Sequence, residues 1–207
     1  MLIALIVVLA LLVAFALFVL WRLALCRHRP PDFVIGKADS VYMNRWWVIP
    51  RNRWFNVYLH QVMRDDDDRA LHDHPWVNLS IVLKGGYWEV VPLSRPSFSW
   101  PVPPTRTIWR KPGSIVLRRP SAAHRLVVGN VQARGPCWSL FITGPKVREW
   151  GFWCSRGWVV WTDFVAPGHA GEIGPGCDDV AAGARQGVHT PGSAHGQVGA
   201  RPVRGEG

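Results

Sequence analysis

The chain has 207 residues, is 48% hydrophobic and carries 24 Lys and Arg against 14 Asp and Glu, a formal charge of +10. This composition supports one packed domain with appendages and excludes global disorder. Cys26, Cys137, Cys154 and Cys177 form no CxxC pair, which argues against a disulfide scaffold or a thiolate zinc finger.

Residues 1–20 contain no charged side chain. As a helix rising 1.5 Å per residue, the segment spans a hydrocarbon core of roughly 30 Å. A secretory signal would need a basic start, a shorter apolar run and a small residue at its cleavage site. Residues 1–22 are therefore read as an uncleaved transmembrane anchor. Arg22, Arg27 and Arg29 follow the apolar run and nothing basic precedes it. The positive-inside rule then places a single-pass protein in the inner (cytoplasmic) membrane with its domain in the cytoplasm. Sparse cysteines that need not be oxidised fit that compartment.

Residues 31–166 form the expected folded unit, with 18 basic and 10 acidic side chains. The basic residues are scattered and no DNA-binding motif accompanies them, so no specific nucleic-acid binding is expected. Anionic headgroups account for the excess more simply. Twelve of the thirteen tryptophans lie between Trp46 and Trp161, which suits an aromatic-rich β domain. Such residues more often pack cores and barrel ends than stack bases or sugars. The runs 54–63, 76–83, 87–91, 114–117, 125–128 and 137–143 are rich in β-branched and aromatic residues and read as strands. Gly85-Gly86 suits a two-residue hairpin turn. Residues 92–104 contain five prolines and form a long loop. No stretch of this unit keeps a helical period. From residue 167 to 207 the chain is rich in Gly, Ala and Pro and reads as a disordered tail, with His189 and His195 as solvated side chains.

The chemistry concentrates in residues 68–89. His72 and His74 share a face if they lie on a strand, with Asp73 opposite. Continuing that parity turns Trp76, Asn78, Ser80 and Val82 inward. A second element runs from Pro112-Gly113 through SIVLR to Pro120 and His124, and a neighbouring strand would bring His124 to the pair. Three nearby imidazoles suit a transition metal. His60 reads as a wall residue. Glu89 reads either as a partner fixing a histidine tautomer or as a solvated strand residue. The run Asp65–Asp68 lacks the spacing of a calcium loop and reads as a solvated turn held by Arg64 and Arg69. Cys137 and Cys154 read as buried thiols.

These two elements resemble the motifs of the cupin superfamily. The first is an HxH pair, a Glu and a closing Gly, matched here by His72, His74 and Gly85, with Asn78 at the Glu position. The second is Pro-Gly, a strand, a Pro and a His, matched by Pro112, Gly113, Pro120 and His124, with Pro120 one residue late. The chain also looks like the small single-domain cupin-type proteins of phage and bacterial genomes. The resemblance implies an all-β double-stranded β-helix, a jelly-roll barrel with a metal near one mouth. The implied ligands are His72, His74, His124 and, weakly, Asn78. The metal is Fe(II) first, with Mn, Ni or Zn as other divalent choices. Three histidines without the carboxylate resemble the thiol dioxygenases of that superfamily, which join a thiol and dioxygen at iron. Arg69, with Arg118 behind it, is then the cation for a substrate carboxylate. Tyr87 or Tyr58 is the inward tyrosine, and Tyr87 is taken as the catalytic one. The expected partners are a small anionic substrate, the membrane through the N-terminal helix, and a second copy in a homodimer. The alternative is a non-catalytic cupin with a degenerate metal site, binding a small ligand or a protein.

Overall fold

The computed structural model describes residues 1–37, 39–66, 70–165, 174, 176 and 177. Helix α1 (Leu2–Cys26) precedes β1 (Phe33–Lys37), β2 (Ser40–Trp47), β3 (Asn56–Val62) and β4 (Leu71–His72). Then come β5 (Asn78–Lys84), β6 (Tyr87–Pro92), β7 (Thr105–Arg110), β8 (Ile115–Arg118) and β9 (Arg125–Val127). The short helix α2 (Val131–Arg134) leads to β10 (Cys137–Thr143), β11 (Gly151–Cys154), β12 (Gly157–Val160) and the short helix α3 (Trp161–Phe164).

One sheet has the order β1-β2-β3-β10-β5-β8, and two smaller ones run β12-β11-β4 and β7-β6-β9. Paired backbone hydrogen bonds between His72 and His124, 2.9 Å each, set β4 beside the start of β9. The second layer thus reads β4-β9-β6-β7, facing β3-β10-β5-β8. The chain passes between the layers at β3, β4, β5 and β6, and again after β7, β8 and β9. This is the antiparallel jelly roll, or double-stranded β-helix, that the motifs imply. All six expected strands form; β1, β2, β4, β7, β11 and β12 are additions.

The residue alternation decides what the barrel encloses. Inward positions of β3 carry Tyr58, His60 and Val62, and those of β10 carry Cys137, Ser139, Phe141 and Thr143, paired in register. Met43, Val62, Val82, Tyr87 and Cys137 fill one end as an apolar cluster. Asn78, Ser80, Ser139 and Thr143 are buried nearer the other end. The outward positions hold a second core of Trp46, Val48, Val57 and Leu59, with Leu140 and Ile142 beside it. Val19, Leu23 and Cys26 of α1 cover that outer face. Arg22 Nε donates to Val48 O (2.8 Å), and Asp32 links the Arg29 guanidinium to Trp47 N (2.7 Å). The end of α1 is therefore part of the domain's packing, while Leu2–Leu17 stays largely exposed.

Three expectations change. Gly85 and Gly86 turn a corner between layers, because β5 and β6 belong to different sheets; they do not close a hairpin. Cys154 is not a free thiol: it is bonded to Cys177, 23 residues later, with the Cα atoms 5.4 Å apart. Cys26 and Cys137 are free and buried. Gly176 N donates to Phe164 O (3.1 Å), so Gly176 and Cys177 are held against the domain; apart from Gly174, the rest of the proposed tail, with its histidines, lies outside the described residues. The tryptophans divide: Trp46 is core, whereas Trp54 and Trp100 are 64% and 52% exposed.

Gly85 has φ +75°, and a Cβ there would meet Pro136 O at 2.7 Å. Gly113 has φ +86° with nothing near its would-be Cβ. Gly113→Ala should cost about 1 kcal/mol, for the left-handed conformation alone. Gly85→Ala should cost at least about 2 kcal/mol, since a backbone clash is added. Denaturant unfolding of both variants checks the order; equal losses would show that the corner yields.

Candidate metal centre

His72 ends β4, His74 lies two residues beyond it, and His124 immediately precedes β9. The bridge between His72 and His124 fixes two of the three backbones. Asp73 is fully buried and points the other way, accepting from Gly151 N (3.0 Å) and Trp158 Nε1 (3.1 Å) and pairing with Arg148 (2.7 Å). This anchorage holds the turn after β4 so that His74 returns to the same side as His72.

One ligand atom from each of the three histidines falls within a set no wider than 4.8 Å. His74 Nε2 and His124 Nε2 are 2.9 Å apart. Burial first, then neighbouring positive charge, drives the His74 imidazolium well below the usual histidine range. Burial and the nearby Arg118 lower His124 to about 3, although its bond to Glu89 works the other way. Both rings are neutral at pH 7 and can offer lone pairs to a cation.

Glu89 lies behind His124. It is fully buried, and its Oε1 is 2.9 Å from His124 Nδ1. The same carboxylate accepts from Arg118 Nε (2.8 Å) and Arg110 Nε (2.7 Å). Burial alone would raise its pKa, but the His124 hydrogen bond and the Arg118 charge hold it well below the carboxylate range. An ionised Glu89 keeps the His124 proton on Nδ1 and leaves Nε2 free. The solvated reading of Glu89 is thus overturned: Arg110 and Arg118, far off in sequence, give its charge partners.

The remaining candidates divide. Asn78 is 1% exposed, and its amide oxygen and nitrogen have no hydrogen-bond partner among the described residues. Tyr87 is buried, 3.4 Å from Arg118 Nη2, and burial raises its pKa. Arg118 is committed to Glu89. Arg69 lies outside the described residues, as do Asp67 and Asp68. Asp65 and Asp66 are not a solvated turn. Asp65 accepts from Val128 N (2.6 Å) and Gly129 N (2.7 Å), and Asp66 accepts from Leu126 N (2.7 Å) and Tyr42 Oη. These bonds bind the acidic run to the strand that follows His124, a distant backbone that sequence spacing does not display. Asp66 Oδ2 also stands 3.6 Å from His72 Nδ1.

Sequence reasoning missed Arg45. It is partly buried on the inward side of β2, donates from Nε to His60 Nε2 (2.9 Å) and lies over the Tyr58 ring. It has no acidic partner among the described residues. His60 stacks on Phe141 (5.0 Å), which in turn lies 5.9 Å from His74. Arg45 also depresses the pKa of His74 through its charge. The only sequence signal was its place in alternation with Met43 on an aromatic strand.

No family model and no curated protein matches the chain. Among solved structures it is similar to the iron(II) form of HppE (12% identity, TM-score 0.42, covering 56% of this chain and 57% of that one). It is also similar to the polyketide cyclase RemF from Streptomyces resistomycificus (17%, 0.38, 56% and 72%). A third is a cupin-2 domain protein from Shewanella frigidimarina (13%, 0.35, 49% and 79%). The chain spans a little over half the length of the HppE structure. The fold assignment rests on the strand order and the motif positions themselves.

In the metal-free protein, His124 binds fewer protons folded than unfolded between pH 6.5 and about 3. A pKa depressed on folding makes stability fall as pH falls through that window. His124→Gln should make the decline between pH 6.5 and 5 shallower by about one proton, about 1.4 kcal/mol per pH unit. Urea unfolding across pH after chelation measures it; an unchanged slope would show that His124 does not titrate on unfolding.

Proposed function

We propose that this cupin-type barrel is a membrane-anchored metalloenzyme that oxidises a small anionic substrate, a thiol among the candidates, with dioxygen. The observation that carries the reading is the convergence of His72, His74 and His124 on one point, with His74 and His124 held neutral. The donor set fits a divalent transition metal: three imidazoles without thiolate suit Fe(II), and equally admit Mn, Ni or Zn. The orphaned Asn78 amide adds a second sign of fit, because a buried polar group needs a partner. Bound there, Fe(II) would supply redox capacity and open positions for substrate and dioxygen.

The protein's own groups then have separable tasks. Glu89 fixes the His124 tautomer. Arg45 stands beside Arg69 as a candidate cation for the substrate's acidic group, because its charge faces the barrel without a counter-ion among the described residues. Tyr87, with its hydroxyl on Arg118, is a proton donor held near the site.

Replacing any one of the three histidines by Ala should remove nearly all bound metal. Combining the changes should cost little more, since each breaks the same chelate. Arg45→Gln should keep the metal and raise KM for thiol-dependent oxygen consumption by at least about tenfold, the loss of one charge-assisted pair. Metal retained in the histidine variants would overturn the centre. No metal in the native chain would favour the non-catalytic barrel, for which Asn78 in place of a carboxylate is the supporting feature.

The packing of Val19, Leu23 and Cys26 into the domain supports a retained helix over a cleaved signal. Arg22, Arg27 and Arg29 favour a cytoplasmic barrel, whereas a Cys154–Cys177 bond favours an oxidising compartment. We assign the cytoplasmic side, because the charge bias acts during insertion, before any disulfide forms. A reporter fused after Gly207 should be active only in the cytoplasm; periplasmic activity would reverse the assignment.

A further inference from the structure

The two edge strands β7 and β8 belong to different layers and leave a cleft of about 470 Å³ between them. Its lining includes Arg95, Arg106, Arg110, Arg118 and Arg119, and its one acidic residue is Glu89. We propose that this cleft is a binding site for a phosphorylated small molecule or headgroup, adjoining the metal centre at His124 and Glu89.

The placement follows from His124. Its Nε2 faces His74 and its Nδ1 faces Glu89. The cleft is lined by both Glu89 and His124, and so adjoins the imidazole together with the carboxylate bonded to its Nδ1. On β7, Arg106 and Arg110 share a face, two residues either side of Ile108. On β8, Arg118 shares a face with Val116. The floor is prearranged: one carboxylate holds Arg110 on Oε2 and Arg118 on Oε1. At the rim, Arg95, Arg106 and Arg119 are exposed and have no ion pair among the described residues.

Charge then selects the ligand. Five guanidinium groups and one carboxylate line the cleft, an excess of four positive charges, and a phosphate ester or diphosphate offsets more of it than a monocarboxylate does. The guanidinium fork also matches phosphate oxygens in pairs. The volume suits a small molecule. None of this requires a metal at the histidines.

The test uses the full chain in phosphatidylcholine nanodiscs, titrated calorimetrically with inorganic pyrophosphate and with orthophosphate. We expect saturable binding of one pyrophosphate, tighter than orthophosphate. The exposed pair Arg106→Gln/Arg119→Gln should weaken it at least about tenfold, as two charge-assisted bonds are lost. Circular dichroism and metal content should not change. Arg106→Lys/Arg119→Lys should recover part of the affinity, because charge returns without the fork. Nanodiscs containing phosphatidic acid identify the source. A lipid ligand would already fill the cleft and suppress pyrophosphate binding, whereas a soluble ligand would leave it unchanged. Absence of saturable binding, or affinity indifferent to both double variants, would overturn the proposal.

Discussion

The buried carboxylate of Glu89 is the contact on which the rest of the barrel turns. An ionised group with no exposed surface is costly unless paired and hydrogen-bonded. Here the partners come from three other parts of the chain: Arg110 at the end of β7, Arg118 at the end of β8, and His124 before β9. β8 belongs to one layer, and β7 and β9 belong to the other. The carboxylate therefore joins the two walls at the place where their edges part. Removing either arginine would leave part of that charge uncompensated, which is why the site and the closure of the barrel cannot be varied independently.

The His-Asp-His tripeptide shows the same economy. Strand alternation sends the two imidazoles to one side and Asp73 to the other. Asp73 then collects Gly151 N, Trp158 Nε1 and Arg148, and so fastens β11 and β12 behind the site. One short segment supplies two converging nitrogens and the anchor that keeps them converging. Asp66 extends the pattern, tying the segment before β4 to the strand after His124 through Leu126 N. Every histidine of the trio is thus held by backbone contacts made by its neighbours.

What could be read from the sequence follows from how local each signal is. The run 137–143 was legible to the residue because β-branched and aromatic side chains fill both faces of a strand near the middle of its sheet. The three histidines were legible because their spacing is that of a known pair of motifs. Strands β11 and β12 were not, since Gly151 and Gly157 interrupt the apolar run at their ends. Gly85-Gly86 was legible as a turn but not as a corner, because pairing between sheets is a long-range fact. The Cys154–Cys177 bond and the Asp65 and Asp66 contacts are also non-local, joining residues 23 and about 60 positions apart. Arg45 was missed for a different reason. A single cation on a strand carries no signature until its setting, against His60 and the Tyr58 ring, can be seen.

The polarity of the barrel explains why the helix belongs to the fold. The interior holds His60, Asn78, Ser80, Glu89, Arg118, Ser139 and Thr143, a set that contributes little hydrophobic stabilisation. Burial of apolar surface, at roughly 25 cal/mol per Å², must then come from elsewhere. One source is the cluster around Val62 and Val82 at one end of the barrel, and the other is the outer face of the large sheet. That outer face would be exposed on a free barrel. In this chain Val19, Leu23 and Cys26 cover it, and Arg22 and Arg29 bond to the backbone beside it. Moving part of the core outside the barrel, under the end of an apolar helix, is what allows the inside to be given over to polar chemistry. The packing of the apolar helix and the polar interior are two consequences of one distribution of apolar residues.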